Sequence, residues 1–364
     1  MSLPWWSVVS PVAAAIVLGV SFGRDAGGPL LVVVAAALIA AVLAAVHHAE
    51  VVALRVGEPL GTLILAIAVT VIEVGLILML MTSSKSGSET LARDTVFSAF
   101  MIVCNGVIGL CLLVGALKHR TVAFRVEGVT AALATLTAVA TLALVLPSFT
   151  TSAPGNVFTG PQLAFAGVAS LTLYAVFVFV QTVRHRDYFL PLPTGTSESE
   201  LDDVEDEHMA PPTSRAALIS LGLLVVCLVG VVGLAKSASP SIERAVAVAG
   251  APPSLVGVCI ALLVLLPETG AAVRAATRNR VQTSLNLAYG SSLASIGLTI
   301  PAIAVASIWL PGALTLGLGP KDLVLMALTV VVSVLTVAPG RATLMQGTVH
   351  LVIFGAFLFL AVTP

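Results

Sequence analysis

Runs of about 20 consecutive apolar residues recur along this chain, and a run of that length spans a bilayer as a helix. Eleven such segments can be read: roughly 5–23, 29–46, 60–82, 95–117, 127–147, 162–183, 215–235, 252–273, 284–309, 321–338 and 343–362. Hydrophobic residues make up 58% of the 364 and charged ones only 10%, against about 25% charged in a soluble domain. The expected fold class is therefore an all-α integral membrane protein. The 17 basic residues form no patch of the kind that binds nucleic acid. Cys104, Cys111, Cys227 and Cys259 all lie inside apolar runs without a CxxC pair, which suits packing better than metal or redox chemistry. No Lys or Arg precedes the first run, so the N-terminus lacks the basic region of a secretory signal, and Trp5-Trp6 suit an interfacial anchor.

Basic residues in the connectors set the orientation. With the N-terminus in the cytoplasm, eleven Lys and Arg fall on the inside and six on the outside. Residues 187–214 form the one long polar connector, with seven acids between Glu198 and Glu207. Such a run repels itself and stays solvated, as a cytoplasmic linker would. It leaves segments two to six before it and seven to eleven after it. Five is odd, so the second half enters the membrane inverted. The domain reading is an extra helix at 1–28, a first five-helix repeat at 29–186, the acidic linker at 187–214 and a second five-helix repeat at 215–364. Inverted repeats place their substrate site near the midplane, between the halves.

Two carboxylates stand where lipid-spanning helices rarely tolerate them. Glu73 is the one ionisable residue of its span, about twelve residues from either end, at a cost of about 2.5–3.5 kcal/mol for an unpaired acid. Glu268 follows Pro267 in the matching segment of the second half. Pro267 has no N–H, so the Leu263 carbonyl is expected to lose its helical partner and become a hard-cation ligand beside Glu268. Thr70 lies one turn before Glu73 on the same face. Asn105, Gly290, Ser291 and Ser292 are small or polar residues of the third segments and can pack closely or supply oxygens. Glu50 borders the second loop with Glu58, and His350 is alone in the last segment; a solvated acid and a local hydrogen bond are the plainer readings. Two carboxylates at one site can neutralise a cation; when it leaves, repulsion and desolvation drive them to take up protons. Competition of that kind on a two-state scaffold is proton-coupled antiport. A channel would need a continuous polar ring, and intramembrane protease motifs such as HExxH and GxSxG are absent.

The stretch from Ala49 through Glu50 and Glu58 to Glu73, the run Asn105-Gly106-Val107-Ile108-Gly109, and Leu266-Pro267-Glu268 through Ser295 resemble the two α-repeats of bacterial calcium/proton antiporters of the cation/proton exchanger family. The resemblance covers most of residues 47–117 and 255–305. It implies an eleven-helix exchanger with an acidic segment after helix six, moving calcium against protons across a bacterial plasma membrane, without a cofactor. It implies that Glu73 and Glu268 are the essential glutamates, that Asn105, Gly290 and Ser291 are repeat positions, and that Glu50 is a gating or proton-linked acid. The family's Gly-Asn pairs are replaced here by Val69-Thr70 and Val264-Leu265, so sodium or potassium exchange stays open beside calcium. Homo-oligomeric assembly stays open as well.

Overall fold

The computed structural model describes residues 4–24, 27–57, 60–83, 89–191, 212–248, 250, 252–309 and 314–363. The acidic run of the 187–214 connector, together with Glu58 and Lys85, lies outside the described residues.

Among the described residues eleven helices follow one another: α1 Trp5–Ser21, α2 Pro29–Val56, α3 Leu60–Ser83, α4 Leu91–His119, α5 Val126–Ser148, α6 Gly160–Arg184, α7 Ser214–Val248, α8 Ser254–Thr277, α9 Val281–Ala306, α10 Pro320–Val337 and α11 Leu344–Val362. Among the described residues ten are long and apolar enough to cross a membrane, and α1 is a shorter apolar helix of 17 residues. Inside lipid only a helix satisfies every backbone group within its own segment. That is why the apolar runs become helices despite Pro11, Pro240, Pro267 and Pro301 within them.

Two helices overrun the apolar segments that announce them. Helix α2 continues past residue 46 to Val56, and α7 past 235 to Val248. His47, His48, Glu50 and Arg55 therefore sit on a helix, where a loop is expected, as do Lys236 and Arg244. Hydropathy marks only the lipid-immersed length, whereas the hydrogen-bond ladder continues until Gly57, at φ 78°, turns the chain out of α2.

The two halves use their helices in matching ways. Helix α3 packs on α9, and α8 packs on α4; α6 packs on α9, and α11 on α4. Exchanging the halves turns each of these contacts into another. The exchange extends to detail. Helices α6 and α11 both open on a capping box, Thr159 with Gln162 and Thr343 with Gln346, whose backbone bonds are each 2.9 Å. Strand β1 (Thr121–Ala123), after α4, pairs antiparallel with β2 (Arg341–Thr343), before α11. Thr315, after α9, bridges Val157, before α6, in the same sense. Ile108-Gly109-Leu110 of α4 and Ile296-Gly297-Leu298 of α9 set a common register. A methyl on Gly109 would come within 2.9 Å of His350 on α11, and one on Gly297 within 2.9 Å of Tyr174 on α6. Helices α4 and α9 are the most enclosed of the ten, 72% and 61% buried. They form the centre about which the halves are inverted.

Two large apolar clusters divide the interior. One joins α4, α5, α6, α8, α9, α10 and α11; the other joins α1, α2, α3 and α7 with Leu91 of α4 and with Ile260 and Val264 of α8, two helices that give residues to both. In the second, Gly233 of α7 meets Leu18 of α1, and Gly75 of α3 meets Val232 of α7.

Because Tyr174 Cβ cannot swing aside, Gly297→Ala is expected to cost about 1–3 kcal/mol by overpacking. Gly222→Ala, with nothing within 4 Å, is expected to be neutral or to stabilise by up to about 1 kcal/mol. Thermal unfolding of the two variants in detergent checks the pair.

Candidate functional site

Glu73 sits near the middle of α3, and its side chain is 2% exposed. Burying it requires donors, and α9 provides them. The Ser295 hydroxyl and the Thr299 hydroxyl (3.1 Å) both donate to the same carboxylate oxygen, Oε2. Residues 295 and 299 are four apart, so they share one face of the helix. Ser292, one turn earlier on that face, is fully buried, and its Oγ has no hydrogen-bond partner within the protein.

Glu268 meets different surroundings. It lines a cavity of about 250 Å³ enclosed by α3, α6 and α9, with Ala66 and Val69 on one wall and Gln181, Asn286 and Ser291 on the others. Its Oε2 is buried and unpartnered. Glu73 is not among the lining residues. Helix α9 thus carries two faces: Asn286, Gly290, Ser291 and Ala294 turn to the cavity, and Ser295 and Thr299 turn to Glu73. The charges of Glu50 and Glu73 both act on Glu268, and Arg274 acts on Glu50. Glu50 also lies 4.0 Å from His47 Nδ1. The acid expected at the edge of a loop is therefore a helical residue within electrostatic reach of the inner carboxylate.

The other expected residues divide. Thr70 is buried beside Glu73's turn, and its hydroxyl donates to the Ala66 carbonyl at 2.8 Å. Gly290 and Ser291 line the cavity. Helix α8 runs unbroken through Pro267, so Leu263 lies within a continuous helix and is half-buried. Asn105 stands apart. It sits in a π-helical turn, Ile102–Val107, and its amide is engaged by Thr329 at 2.9 Å and by His350 Nδ1 at 3.1 Å. His350 completes that set through Thr336, at 3.1 Å, so it makes the local hydrogen bonds expected of it. Ser295 and Thr299 are the partners that reading the sequence missed. The signal was present: Ser292, Ser295 and Thr299 repeat at helical spacing inside an apolar span.

Chemically, the arrangement offers one carboxyl sealed by two hydroxyls and another that lines a cavity and keeps one buried oxygen unpartnered among the described residues. A buried ionised oxygen without a partner is costly, and a proton or a cation removes that cost. Among the described residues no three His, Cys, Asp or Glu converge on a point. A cation here would be held by few charges and completed by neutral oxygens.

A sequence model described as "Sodium/calcium exchanger protein" matches residues 28–183 and 219–363. A putative ionic transporter of Sinorhizobium fredii is 45% identical over 100% of this chain and 97% of its own length. The sodium-potassium/proton antiporter ChaA of Escherichia coli is 34% identical over 97% of this chain and 94% of its own. A Ca(2+)/H(+) antiporter of Aphanothece halophytica is 23% identical over 86% of each. Among solved structures, native YfkE superposes with a TM-score of 0.72 at 16% identity over 99% of each chain. The H+/Ca2+ exchanger CAX gives 0.66 at 15% identity, over 97% of this chain and 88% of that one. Likeness at these identities is likeness of fold.

Replacing Ser295 by Ala takes a donor from a buried carboxyl and is expected to destabilise by about 1–3 kcal/mol. In a Glu73→Leu background the same replacement should cost nearly nothing. A double-mutant cycle read by thermal unfolding separates this coupling from a general packing loss.

Proposed function

The chain belongs to the sodium/calcium exchanger protein family, and on that premise we propose that it trades a monovalent cation, sodium or potassium, for protons at Glu73 and Glu268. The coarser statement needs no proposal: this is an integral membrane antiporter of the cation-exchanger type, a secondary transporter rather than an enzyme.

One observation carries the reading. Glu268 lines a cavity and keeps a buried oxygen without a partner among the described residues, while Glu73, its counterpart in the other half, is sealed by Ser295 and Thr299. An oxygen of that kind takes a proton or a cation, and only one at a time. The seal on Glu73 suits both of its forms. Hydroxyls donate and accept, so two of them can donate to the carboxylate, and one can turn to accept from the carboxylic acid. No backbone rearrangement is required. Glu50, near Arg274 and acting on Glu268, is placed to pass protons or cations toward the inner acid. The apolar cluster built mainly from α1, α2, α3 and α7, which α8 also joins through Ile260 and Val264, suits a unit built on α2 and α7 that slides against the rest and alternates access.

The donor set favours a monovalent ion. Calcium takes 6–8 oxygens. Val69-Thr70 and Val264-Leu265 bring no amide, the Asn105 amide is occupied elsewhere, and of the two amides lining the Glu268 cavity, Gln181 and Asn286, the second is already bonded to Phe189 and Gln282. The full-length likeness to a sodium-potassium/proton antiporter supports the same choice. Calcium against protons is the second reading: two carboxylates suffice to neutralise a divalent ion, and a Ca(2+)/H(+) antiporter is among the relatives. The excess of basic residues in alternate connectors supports an N-terminus in the cytoplasm, and in that orientation the Glu268 cavity would face inward.

Proteoliposomes loaded with a pH-sensitive dye and given an imposed proton gradient test this directly. Sodium or potassium should collapse the gradient, and Glu73→Gln or Glu268→Gln should abolish the response. Collapse by calcium alone would move the assignment to the second reading. Unimpaired flux in both Gln variants would overturn the site. Protons compete with the cation, so the apparent cation affinity should rise with pH, by up to about tenfold per unit for each displaced proton.

A further inference from the structure

A second, smaller cavity of about 140 Å³ lies between the first part of α4, the first part of α8 and the last part of α11, with the start of α10 closing one side. Its walls are the Glu268 cavity's walls with the halves exchanged. Helix α3 becomes α8, α6 becomes α11, and α9 becomes α4. In the register set by Gly109 and Gly297, Ser98 of this cavity corresponds to Asn286 of the first. Glu268 lines the first cavity; Glu73 does not line the second.

The two cavities differ in charge. Arg93, Asp94, Lys321 and Asp322 line the smaller one. Arg93 grips Asp94 through Nε at 2.8 Å and a terminal nitrogen at 2.7 Å, and its other terminal nitrogen is 3.4 Å from the Gly317 carbonyl. Thr90 holds the remaining Asp94 oxygen at 3.0 Å. Lys321 donates to the Leu360 carbonyl at 2.9 Å, tying α10 to α11, and Asp322 lies in the field of all three charged neighbours. The positions that correspond to Arg93 and Asp94 in the other half are Val281 and Gln282. The ion pair therefore exists at one end only; at the other, Gln282 accepts from the Arg125 backbone N–H at 2.7 Å and Asn286 donates to the Phe189 carbonyl, bonds that carry no charge pair.

We propose that the charged cavity is the second mouth of the translocation route, shut in this state, and that Arg93, oriented by its neighbour Asp94 in α4, is the lock that holds it shut through its contact with the Gly317 carbonyl. This rests on the antiport reading, since a route with two alternating mouths is what antiport requires. The Arg93 guanidinium acts as a tethered cation. It satisfies Asp94 and bridges α4 to the segment after α9, and opening the mouth requires α4 and that segment to part. Because the mouth at Glu268 lacks such a pair, the lock biases the two-state equilibrium toward the state with the Glu268 mouth open.

Sided labelling with a membrane-impermeant thiol reagent tests the proposal. Ser98→Cys and Asn286→Cys are made in the full chain and labelled in right-side-out and inverted membrane vesicles, with the parent chain's own cysteines as the blank. Asn286→Cys should react from one side, and Ser98→Cys slowly and only from the other. Adding Arg93→Gln should speed Ser98→Cys labelling by about tenfold, equivalent to about 1.4 kcal/mol, and slow Asn286→Cys. Asp94→Asn breaks the same pair from its other partner and should do likewise. Reaction of both cysteines from the same side overturns the proposal, as does a Ser98→Cys rate unmoved by either lock variant. Labelling needs no transport. Sided labelling without cation-driven proton flux would sink the antiport reading alone; intact flux with unsided labelling would sink the lock alone.

Discussion

Everything in this bundle answers to one constraint: a carboxyl group placed mid-membrane must be met by the protein, because lipid offers it nothing. Glu73 is met by Ser295 and Thr299. Two hydroxyls one turn apart can reach one oxygen only if α3 and α9 cross at that height and with those faces opposed. The polar contact thereby fixes the packing of the first half onto the second. Gly297, between the two hydroxyls in sequence, lets α6 close on the opposite side of α9. Removing bulk there and placing hydroxyls around it are two parts of one solution.

The inverted halves supply the same parts twice and then use them differently. Both have a mid-helix glutamate, a central enclosed helix with an Ile-Gly-Leu register, a capping box opening the last helix and a short bridge beside it. Yet one glutamate is sealed and the other opens on a cavity, and one mouth carries an ion pair where the other carries Val281 and Gln282. A symmetric scaffold gives two states of similar energy, and the asymmetric residues decide which is populated. The departures from symmetry are accordingly where function concentrates.

The class of fold was legible because a bilayer imposes a length on each apolar run, and the count of eleven helices followed. The five segments on each side of the acidic connector, with the first segment set apart, made the inversion legible too. What hydropathy could not mark was the length of α2 and α7 beyond the lipid, where His47, Glu50 and Arg244 continue the helix. Glu73 and Glu268 were legible as expensive residues. Their partners were not, because Ser295 and Thr299 are ordinary helix residues whose meaning depends on what lies opposite. Asn105 shows the converse. It resembled a ligand by its place in the repeat, and only the fold brings Thr329 and His350 to occupy its amide.

That occupied amide explains which part of the bundle stays still. The Asn105 oxygen can only accept, so His350 Nδ1 carries the hydrogen that bonds it, and Nε2 is free to accept from Thr336. The Asn105 amide then donates to Thr329, whose hydroxyl points on to the Met101 sulfur at 3.5 Å. Every group in the chain has a partner and the bonds run in one direction, tying α4, α10 and α11 through fully buried side chains. A polar network satisfied in this way is rigid, and breaking any link leaves an orphan in an apolar interior. Glu268 Oε2 and Ser292 Oγ are among the buried groups left unsatisfied in the described residues. The matched network holds α4, α10 and α11 together, while the proposed site leaves Glu268 Oε2, and Ser292 Oγ one turn from the Ser295 that bonds Glu73, for an ion or a proton to complete.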